Sequence, residues 1–443
     1  HIDPYMGILI RILQLLLSLS LLVFFHELGH FLWAKLFGIR VSKFYLFFDW
    51  KFALWKWKPK GSETEYGIGW LPLGGYCAIE GMVDEKEAET GVPSEPEEWE
   101  FRAKPKWQRL LVLAGGILNN VLMAILIYWG LSYHYGVDHI PMEGVGDALT
   151  YSSVGHRMGL QDGDRPYALD GKEIKYFDGT LVQEIANAET LTVVRKGSRV
   201  DLAVPVDLIP AMLETDSALF YIDLPSVADS VLTGSNAARA GVRAGDEVVA
   251  LNGTPMKLSG LLPAVKELRG DTLMLTLRRG GEMLQLPVYA DPEEGLGIMF
   301  SADPGKAFGK IHEEYGFFEA LPKGVSRSWQ LLTGYVDQLK YVATPQGAKS
   351  IGGLGTIGSL FPPVWNWLSF WTMTAFLSII LAVMNLIPIP GLDGGHIFFL
   401  LIEMITRRQI PYKYMYYIQL VGIGLLFLLM IYANVADVIR FLF

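Results

Sequence analysis

Long apolar stretches with few charged side chains dominate the pattern of this 443-residue chain. A membrane-spanning helix needs about 20 mostly apolar residues. The stretches that meet this requirement predict spans over residues 6–35, 109–136, 365–390 and 414–437. Glu27 is the one charged residue between Ile12 and Ala34. A signal peptide would carry no such charge and would end in a small-residue cleavage site, so a functional spanning helix is the better prediction.

Composition supports a membrane protein. Hydrophobic residues make up 51% of the chain and charged residues 19%, whereas an average soluble domain has roughly 25% charged residues. The net charge of −9 argues against nucleic-acid binding, which requires a basic surface. With a single cysteine, Cys77, neither an intrachain disulfide nor a multi-cysteine metal site can form. The pentapeptide HIDPY (1–5) precedes the first methionine and is typical of a leftover of recombinant expression.

Basic residues near the span ends predict the orientation. Lysines and arginines cluster in the loop 36–108 and again between the third and fourth spans, at Arg407, Arg408 and Lys413. Both loops are therefore expected in the cytoplasm. The block from about 138 to 341 is then expected outside, in the periplasm of a two-membrane bacterium, and it contains no cysteine.

The exported block contains an internal repeat. MGLQDGDRPYALDGKEI (158–174) parallels AGVRAGDEVVALNGTPM (240–256), each with Gly-Asp, a short strand and an Asp-Gly or Asn-Gly turn. The pattern resembles tandem PDZ domains over 138–207 and 222–291, which add a peptide strand to a sheet edge. No obvious Gly-Leu-Gly-Phe carboxylate loop is visible. Residues 312–345 predict an amphipathic helix, either on the outer membrane surface or as a solvated linker.

The cytoplasmic loop contains two contrasting segments. TEYGIGWLPLGGY (64–76) alternates apolar and small residues and predicts a re-entrant β hairpin. Such backbone is tolerated at membrane depth only where protein or a water-filled cavity surrounds it. The acidic stretch 84–100 predicts a loop.

The first span carries the signature of a metal site. His26 and His30 are four residues apart, so on a helix they share one face and can bind one metal ion. Glu27 beside them is the expected general base. A catalytic zinc site usually has three protein ligands and one open position, which requires a third ligand at the same depth.

The third ligand is expected where the third span ends, in MNLIPIPGLDGGH (384–396). The two prolines end the helix, and Asp393 follows at the depth expected for His26. His396 and Glu403 are the alternatives, and Asp393 could instead serve only as a helix cap. Segment 391–396 is therefore the predicted zinc-ligand segment.

HELGHF (26–31), LPLGGY (71–76) and NLIPIPGLDGG (385–395), in this order, resemble the site-2 protease family of intramembrane zinc metalloproteases. Two PDZ-like domains between spans two and three are similar to its bacterial members of the RseP type. The resemblance implies a polytopic α-helical membrane protein with four transmembrane helices. It also implies a re-entrant β element, two exported PDZ-like α+β domains, and an active site on the cytoplasmic side of the bacterial inner membrane.

The same resemblance implies roles for individual residues. His26, His30 and Asp393 are the implied zinc ligands and Glu27 the implied catalytic base. Asn385, Gly74 and Gly75 are implied to bind substrate. One departure is that the family's Gly-Pro-x-x-Asn appears here as Gly115-Gly116-Ile117-Leu118-Asn119.

The implied activity is peptide-bond hydrolysis in the bilayer. Implied substrates are single-span membrane proteins already shortened outside, such as an anti-sigma factor or a remnant signal peptide, with the PDZ pair as a size filter. Two other classes remain open. A membrane PDZ scaffold with a structural zinc would need four protein ligands, and a metal or proton transporter would tend to show repeated helix halves.

Overall fold

The computed structural model describes residues 4–72, 74–82, 95–145, 148–215, 217–293, 295–301, 303–342, 352–408 and 412–442. The chain forms two compact units. The first, called the membrane unit, comprises His1–Gly136 and Glu314–Phe443, and the second, called the inserted unit, comprises Val137–Glu313. Most of the predicted acidic loop and the last residues of the predicted helix 312–345 lie outside the described residues.

The described α-helices are α1 (Pro4–Leu36), α2 (Lys106–Tyr135), α3 (Met142–Val145), α4 (Ser153–Arg157), α5 (Leu181–Asn187), α6 (Leu208–Thr215), α7 (Asn236–Ala240), α8 (Leu258–Glu267), α9 (Pro304–Phe308), α10 (Phe317–Val342), α11 (Leu354–Ser359), α12 (Trp367–Leu386), α13 (Asp393–Thr406) and α14 (Tyr412–Leu442). A short 3₁₀ helix covers Phe101–Ala103.

The described strands are β1 (Val41–Leu46), β2 (Phe48–Trp57), β3 (Glu65–Leu71), β4 (Tyr76–Ile79), β5 (Val137–Pro141), β6 (Leu149–Tyr151), β7 (Arg165–Leu169), β8 (Lys172–Glu173), β9 (Tyr176–Phe177), β10 (Thr190–Arg195), β11 (Ser198–Ala203), β12 (Phe220–Ile222), β13 (Ser226–Val231), β14 (Glu247–Leu251), β15 (Thr254–Pro255), β16 (Thr272–Arg279), β17 (Glu282–Tyr289), β18 (Ile298–Phe300) and β19 (Ile311–Glu313).

Four of the described helices, α1, α2, α12 and α14, are long and apolar enough to cross a membrane. The qualifying segments are Tyr5–Leu36, Lys106–Tyr135, Trp367–Leu386 and Tyr414–Ile439. This set agrees with the four spans predicted from the sequence. Together with the β-sheets, these helices give the architecture of a polytopic membrane protein with α+β parts.

The crossing of α1 and α2 is close because glycine faces glycine. A Cβ atom added to Gly115 would lie 2.7 Å from the carbonyl oxygen of Gly29, so neither position has room for a side chain. Small residues at such contacts let membrane helices approach at backbone distance. The α12 helix joins them through buried hydroxyls, since Ser378 Oγ donates to the Asn120 carbonyl at 2.8 Å and Thr374 Oγ1 to Ser18 Oγ at 3.0 Å.

The amphipathic segment after the inserted unit forms α10, which packs against α2. Gly324 allows the approach, because a Cβ there would lie 2.6 Å from the backbone nitrogen of Trp129. Further along, Leu331, Tyr335 and Leu339 pack against a buried cluster that α2 and α12 share. The second half of α10 is therefore packed against two of the predicted spans.

A four-stranded sheet follows α1 in the order β2-β3-β1-β4. The segment 64–76, predicted as a hairpin, supplies β3 and the residues leading into β4, but these two strands do not pair with each other. Instead β1 lies between them, parallel to β3 and antiparallel to β4. Strand β1 thus takes the place beside β3 that the predicted hairpin would have given to β4. Strand β4 forms one edge of the sheet.

The inserted unit contains the repeat seen in the sequence. Its first half has a sheet of order β11-β10-β7-β8 and its second half a sheet of order β17-β16-β14-β13-β18. Each half has its own core of buried aliphatic side chains. The two halves share the pairing of a hairpin with the strand of the repeat motif: β10–β11 with β7 and β16–β17 with β14.

The aspartate of each Gly-Asp pair forms a buried ion pair with an arginine in its half of the repeat. Arg195 donates to Asp164 through Nε at 2.8 Å and Nη2 at 2.6 Å, and Arg279 donates to Asp246 through the same two atoms, both at 2.6 Å. Both aspartates have side chains only 1% exposed. The arginine comes from the equivalent strand in each half, so the repeat extends to the buried ion pair.

Candidate metal centre

His26 and His30 are buried on one face of α1, as their spacing predicts, and Asp393 completes the group. His26 Nε2 lies 3.1 Å and His30 Nε2 3.3 Å from Asp393 Oδ2, and the two Nε2 atoms are 3.4 Å apart. Among the described residues, these are the three metal-ligating side chains that converge, with ligand atoms within 4.8 Å of one another.

Asp393 reaches this position because of the turn between α12 and α13. Gly391 has a positive φ of 96°, a conformation that glycine adopts without steric cost. Gly394 and Gly395 then pack directly against backbone atoms, since a Cβ on Gly395 would lie 2.9 Å from Pro390 Cα. Asp393 is the first residue of α13 and extends from this compact turn toward α1.

The orientation of His30 follows from its second ring nitrogen. His30 Nδ1 lies 2.8 Å from the carbonyl oxygen of Val112 on α2. A carbonyl oxygen can only accept, so Nδ1 carries the hydrogen and the lone pair of Nε2 faces the centre. Metal-binding histidines are typically oriented in this way by an acceptor on the far nitrogen.

These residues fit a zinc ion. Two imidazole nitrogens and one carboxylate oxygen form a donor set of the kind found in catalytic zinc sites. Asp393 Oδ2 is buried and receives no hydrogen bond from the described residues, although it lies close to both Nε2 atoms. Electron-pair donors gathered in this way repel one another unless a cation lies between them. A zinc ion satisfies all three.

Glu27 lies beside this group, between α1 and the edge strand β4. The residue as a whole is half-buried, and its carboxylate interacts electrostatically with His26, His30 and Asp393. The backbone amide of Cys77 in β4 also interacts with it. A Cβ on Gly75 would lie 3.5 Å from Glu27 Cγ, so the start of β4 packs directly against this side chain.

The alternative ligands lie elsewhere. His396 is near the side-chain amide of Gln419 on α14, with Nδ1 at 3.2 Å. Glu403 is 5% exposed and pairs with Arg109 of α2 at 3.4 Å. Of the three candidates for the third ligand, the structure brings only Asp393 to the histidine pair.

The remaining predicted residues make other contacts. Asn385 is buried near the end of α12, and Gly394 packs against the backbone oxygens that follow it. Gly74 has a φ of 145° and faces the ring of Phe48. Gly116, where the family motif has proline, lies against both histidine rings, and the side chain of Asn119 donates to the carbonyl of Phe25.

Asn120 is a further residue of the site that was not expected from the sequence. It is fully buried, and its side-chain amide lies 3.1 Å from His26 Nδ1. A signal was available, because an amide buried within an apolar span is costly and marks a functional or packing role.

A bundle of apolar helices around a buried His-His-Asp centre with an adjacent glutamate defines a membrane metallopeptidase. The chain belongs to peptidase family M50, whose family model matches residues 14–429. It is 30% identical to the regulator of sigma-E protease RseP of Escherichia coli over 94% of this chain and 95% of the relative. It is 28% identical to a candidate zinc metalloprotease of Vibrio cholerae over 98% of this chain and 99% of the relative. It is 29% identical to protease RseP of Yersinia pestis over 96% of this chain and 97% of the relative.

The predicted family, enzyme class and cofactor are thereby confirmed. The protein is an intramembrane zinc metalloprotease of family M50. It is a multi-pass membrane protein similar to RseP over nearly its whole length.

Proposed function

We propose that His26, His30 and Asp393 hold the catalytic zinc and that Glu27 is the general base of peptide hydrolysis. The observation that carries this proposal is the convergence of the three ligand atoms within 4.8 Å with Glu27 directly beside them. When bound, zinc acts as a Lewis acid and lowers the pKa of water to about 7. The Glu27 carboxylate accepts the proton of the attacking water and returns it to the nitrogen of the leaving amine.

The edge strand β4 is the proposed docking element for the substrate backbone. It pairs with β1 on one side only, and its residue Cys77 interacts with Glu27 through the backbone. A substrate helix has its carbonyls hydrogen-bonded internally, so it must unwind before cleavage. An extended segment that adds to β4 regains backbone hydrogen bonds, and Gly74 and Gly75 lead directly into this strand.

Asn385 is the proposed oxyanion donor. It is buried in the last turn of α12, and the Pro-Gly turn connects this helix end to Asp393. A side-chain amide that stabilises the developing oxyanion is typically worth about 2.7–4 kcal/mol.

The sheet of β2, β3, β1 and β4 is the proposed re-entrant element. Strand β2 exposes an unusually aromatic surface that includes Trp50, Phe52, Trp55 and Trp57. Such side chains are favoured at the membrane interface. Orientation follows the basic residues, so we place this sheet and the active site on the cytoplasmic side of the bacterial inner membrane.

The two halves of the inserted unit are proposed PDZ-like domains on the periplasmic side. In the second half, β18 is an edge strand preceded by Gly295-Leu296-Gly297. Both glycines have positive φ, 67° and 75°, and with Ile298 this loop is the proposed counterpart of the Gly-Leu-Gly-Phe loop that the sequence was not expected to contain. Such an edge binds peptide termini, so the domains would screen substrates already shortened outside.

The proposed substrates are single-span membrane proteins cleaved beforehand on the outer side. The relatives' names assign RseP a role in regulating sigma-E, which supports an anti-sigma factor as substrate of this chain. A remnant signal peptide is a substrate of the same kind, because it is a single apolar helix with few residues on the outer side of the membrane.

The test compares the parent protein with Glu27→Gln in liposomes that contain a truncated single-span substrate. The parent is expected to bind one zinc and cleave, and the variant to bind zinc without cleaving. A parent that binds zinc but leaves several such substrates intact would favour a scaffold. Zinc flux across the liposome membrane without cleavage would favour a transporter.

A further inference from the structure

Asn120 is placed where it can control one of the zinc ligands. It lies on α2 with 0% exposure, and its backbone carbonyl is held by Ser378 of α12 at 2.8 Å. Its side-chain amide lies 3.1 Å from His26 Nδ1, on the side of the ring away from Asp393. The Ser378 bond holds the backbone of α2, whereas the side-chain amide faces α1 and His26 is its described polar neighbour.

The chemistry of the site determines which amide atom faces His26. His26 Nε2 is the atom directed at Asp393 and His30, so it must offer its lone pair to the metal. Nδ1 then carries the hydrogen and needs an acceptor. The oxygen and nitrogen of an asparagine amide have nearly the same shape and are assigned from their hydrogen bonds.

No other described hydrogen bond of the Asn120 side chain requires Nδ2 to face His26. Asn120 Oδ1, in the orientation with Nδ2 toward His26, is buried without a hydrogen-bond partner among the described residues. Turning the amide therefore breaks no other described hydrogen bond and provides the acceptor that Nδ1–H requires.

We propose that Asn120 is a positioning residue, whose Oδ1 accepts from His26 Nδ1–H and so fixes the tautomer and ring plane of this ligand. It does for His26 what the Val112 carbonyl does for His30. The proposal rests on the zinc site described above. Loss of such an outer partner typically costs 10- to 100-fold in metal affinity.

The experiment measures zinc affinity of the full-length detergent-solubilised protein by competition with a chromogenic chelator. Asn120→Leu has a similar volume and no acceptor, and it is expected to weaken zinc binding about 10- to 100-fold. Asn120→Asp keeps an acceptor at the same place and is expected to stay within about threefold of the parent, because a carboxylate also serves this role. Asn120→Ala is a second variant without an acceptor, in case the leucine variant does not fold.

Ser378→Ala is the matched control. It removes a buried hydrogen bond to Asn120 but leaves the amide at His26, so its zinc affinity is expected to equal that of the parent. Folded Leu and Ala variants that bind zinc like the parent would overturn the proposal. An Asp variant as weak as the Ala variant would do the same. A parent that binds no zinc would refute the metal site itself, which is a different result.

Discussion

Replacing Gly115 by alanine tests whether the α1–α2 crossing sets the geometry of the metal centre. The added Cβ would lie 2.7 Å from the Gly29 carbonyl oxygen and 2.8 Å from Trp33 Cδ1. The nearest of these atoms is backbone and cannot rotate away. Ordinary van der Waals contact begins at about 3.4 Å, so the helices must separate locally by roughly 0.7 Å.

That separation acts directly on a zinc ligand. His30 follows Gly29 on α1, and its acceptor, Val112, precedes Gly115 by about one turn of α2. A separation of roughly 0.7 Å would stretch the 2.8 Å contact of His30 Nδ1 with Val112 to the limit of a hydrogen bond. We expect about 1–3 kcal/mol of destabilisation from overpacking and at least tenfold weaker zinc binding.

The assay combines chelator competition for zinc with thermal unfolding of the full-length protein in detergent. Gly130→Ala on the same helix is the control, because a Cβ there meets no atom within 4 Å. We expect it to bind zinc normally and to be as stable as the parent or slightly more so. If Gly115→Ala matched both the zinc affinity and the melting temperature of the parent, the argument that this crossing positions His30 would be wrong.

Other predictions concern stability and catalysis. Asp246→Asn is expected to destabilise the second half of the inserted unit by about 1.5–3 kcal/mol, because it removes charged hydrogen bonds with Arg279. Hydrogen exchange of β14 and β16 in the full-length protein measures this loss. Unchanged protection of these strands would contradict the prediction. The Arg279 guanidinium holds the pKa of Asp246 below its usual value. This contribution is therefore complete above the unfolded-state pKa of about 3.9 and is lost as the pH falls through the folded-state pKa, so the parent should lose exchange protection in acid more steeply than Asp246→Asn. Asn385→Ala is expected to lower kcat by about 10²- to 10³-fold with little change in zinc content, and loss of zinc instead would assign it a structural role. Chelating the zinc is expected to remove about 4 kcal/mol of folding stability if zinc had been present at 1,000 times its Kd. The melting temperature should fall accordingly, and an unchanged melting temperature would argue against this site.

The sequence by itself determined the features that depend on local spacing. His26 and His30 share a face because helix geometry repeats every 3.6 residues, and the four spans follow from the length of apolar segments that a bilayer requires. The three motifs in order indicated the family, which the comparison with M50 peptidases confirmed. The repeat in the inserted unit was also visible, since both Gly-Asp segments lie at equivalent positions of the two halves.

Only the tertiary structure decided which distant residues meet. Asp393, His396 and Glu403 were all possible third ligands by sequence, and the Pro-Gly turn directs Asp393 alone to the histidines. Segment 64–76 has the sequence pattern of a hairpin, and that pattern does not predict that β1 lies between β3 and β4. Strand partners depend on side-chain packing across the sheet and not on closeness in sequence. The amide of Asn120 reaches His26 only because Gly29 and Gly115 bring two spans together, a contact between residues far apart in the chain that spacing alone does not encode.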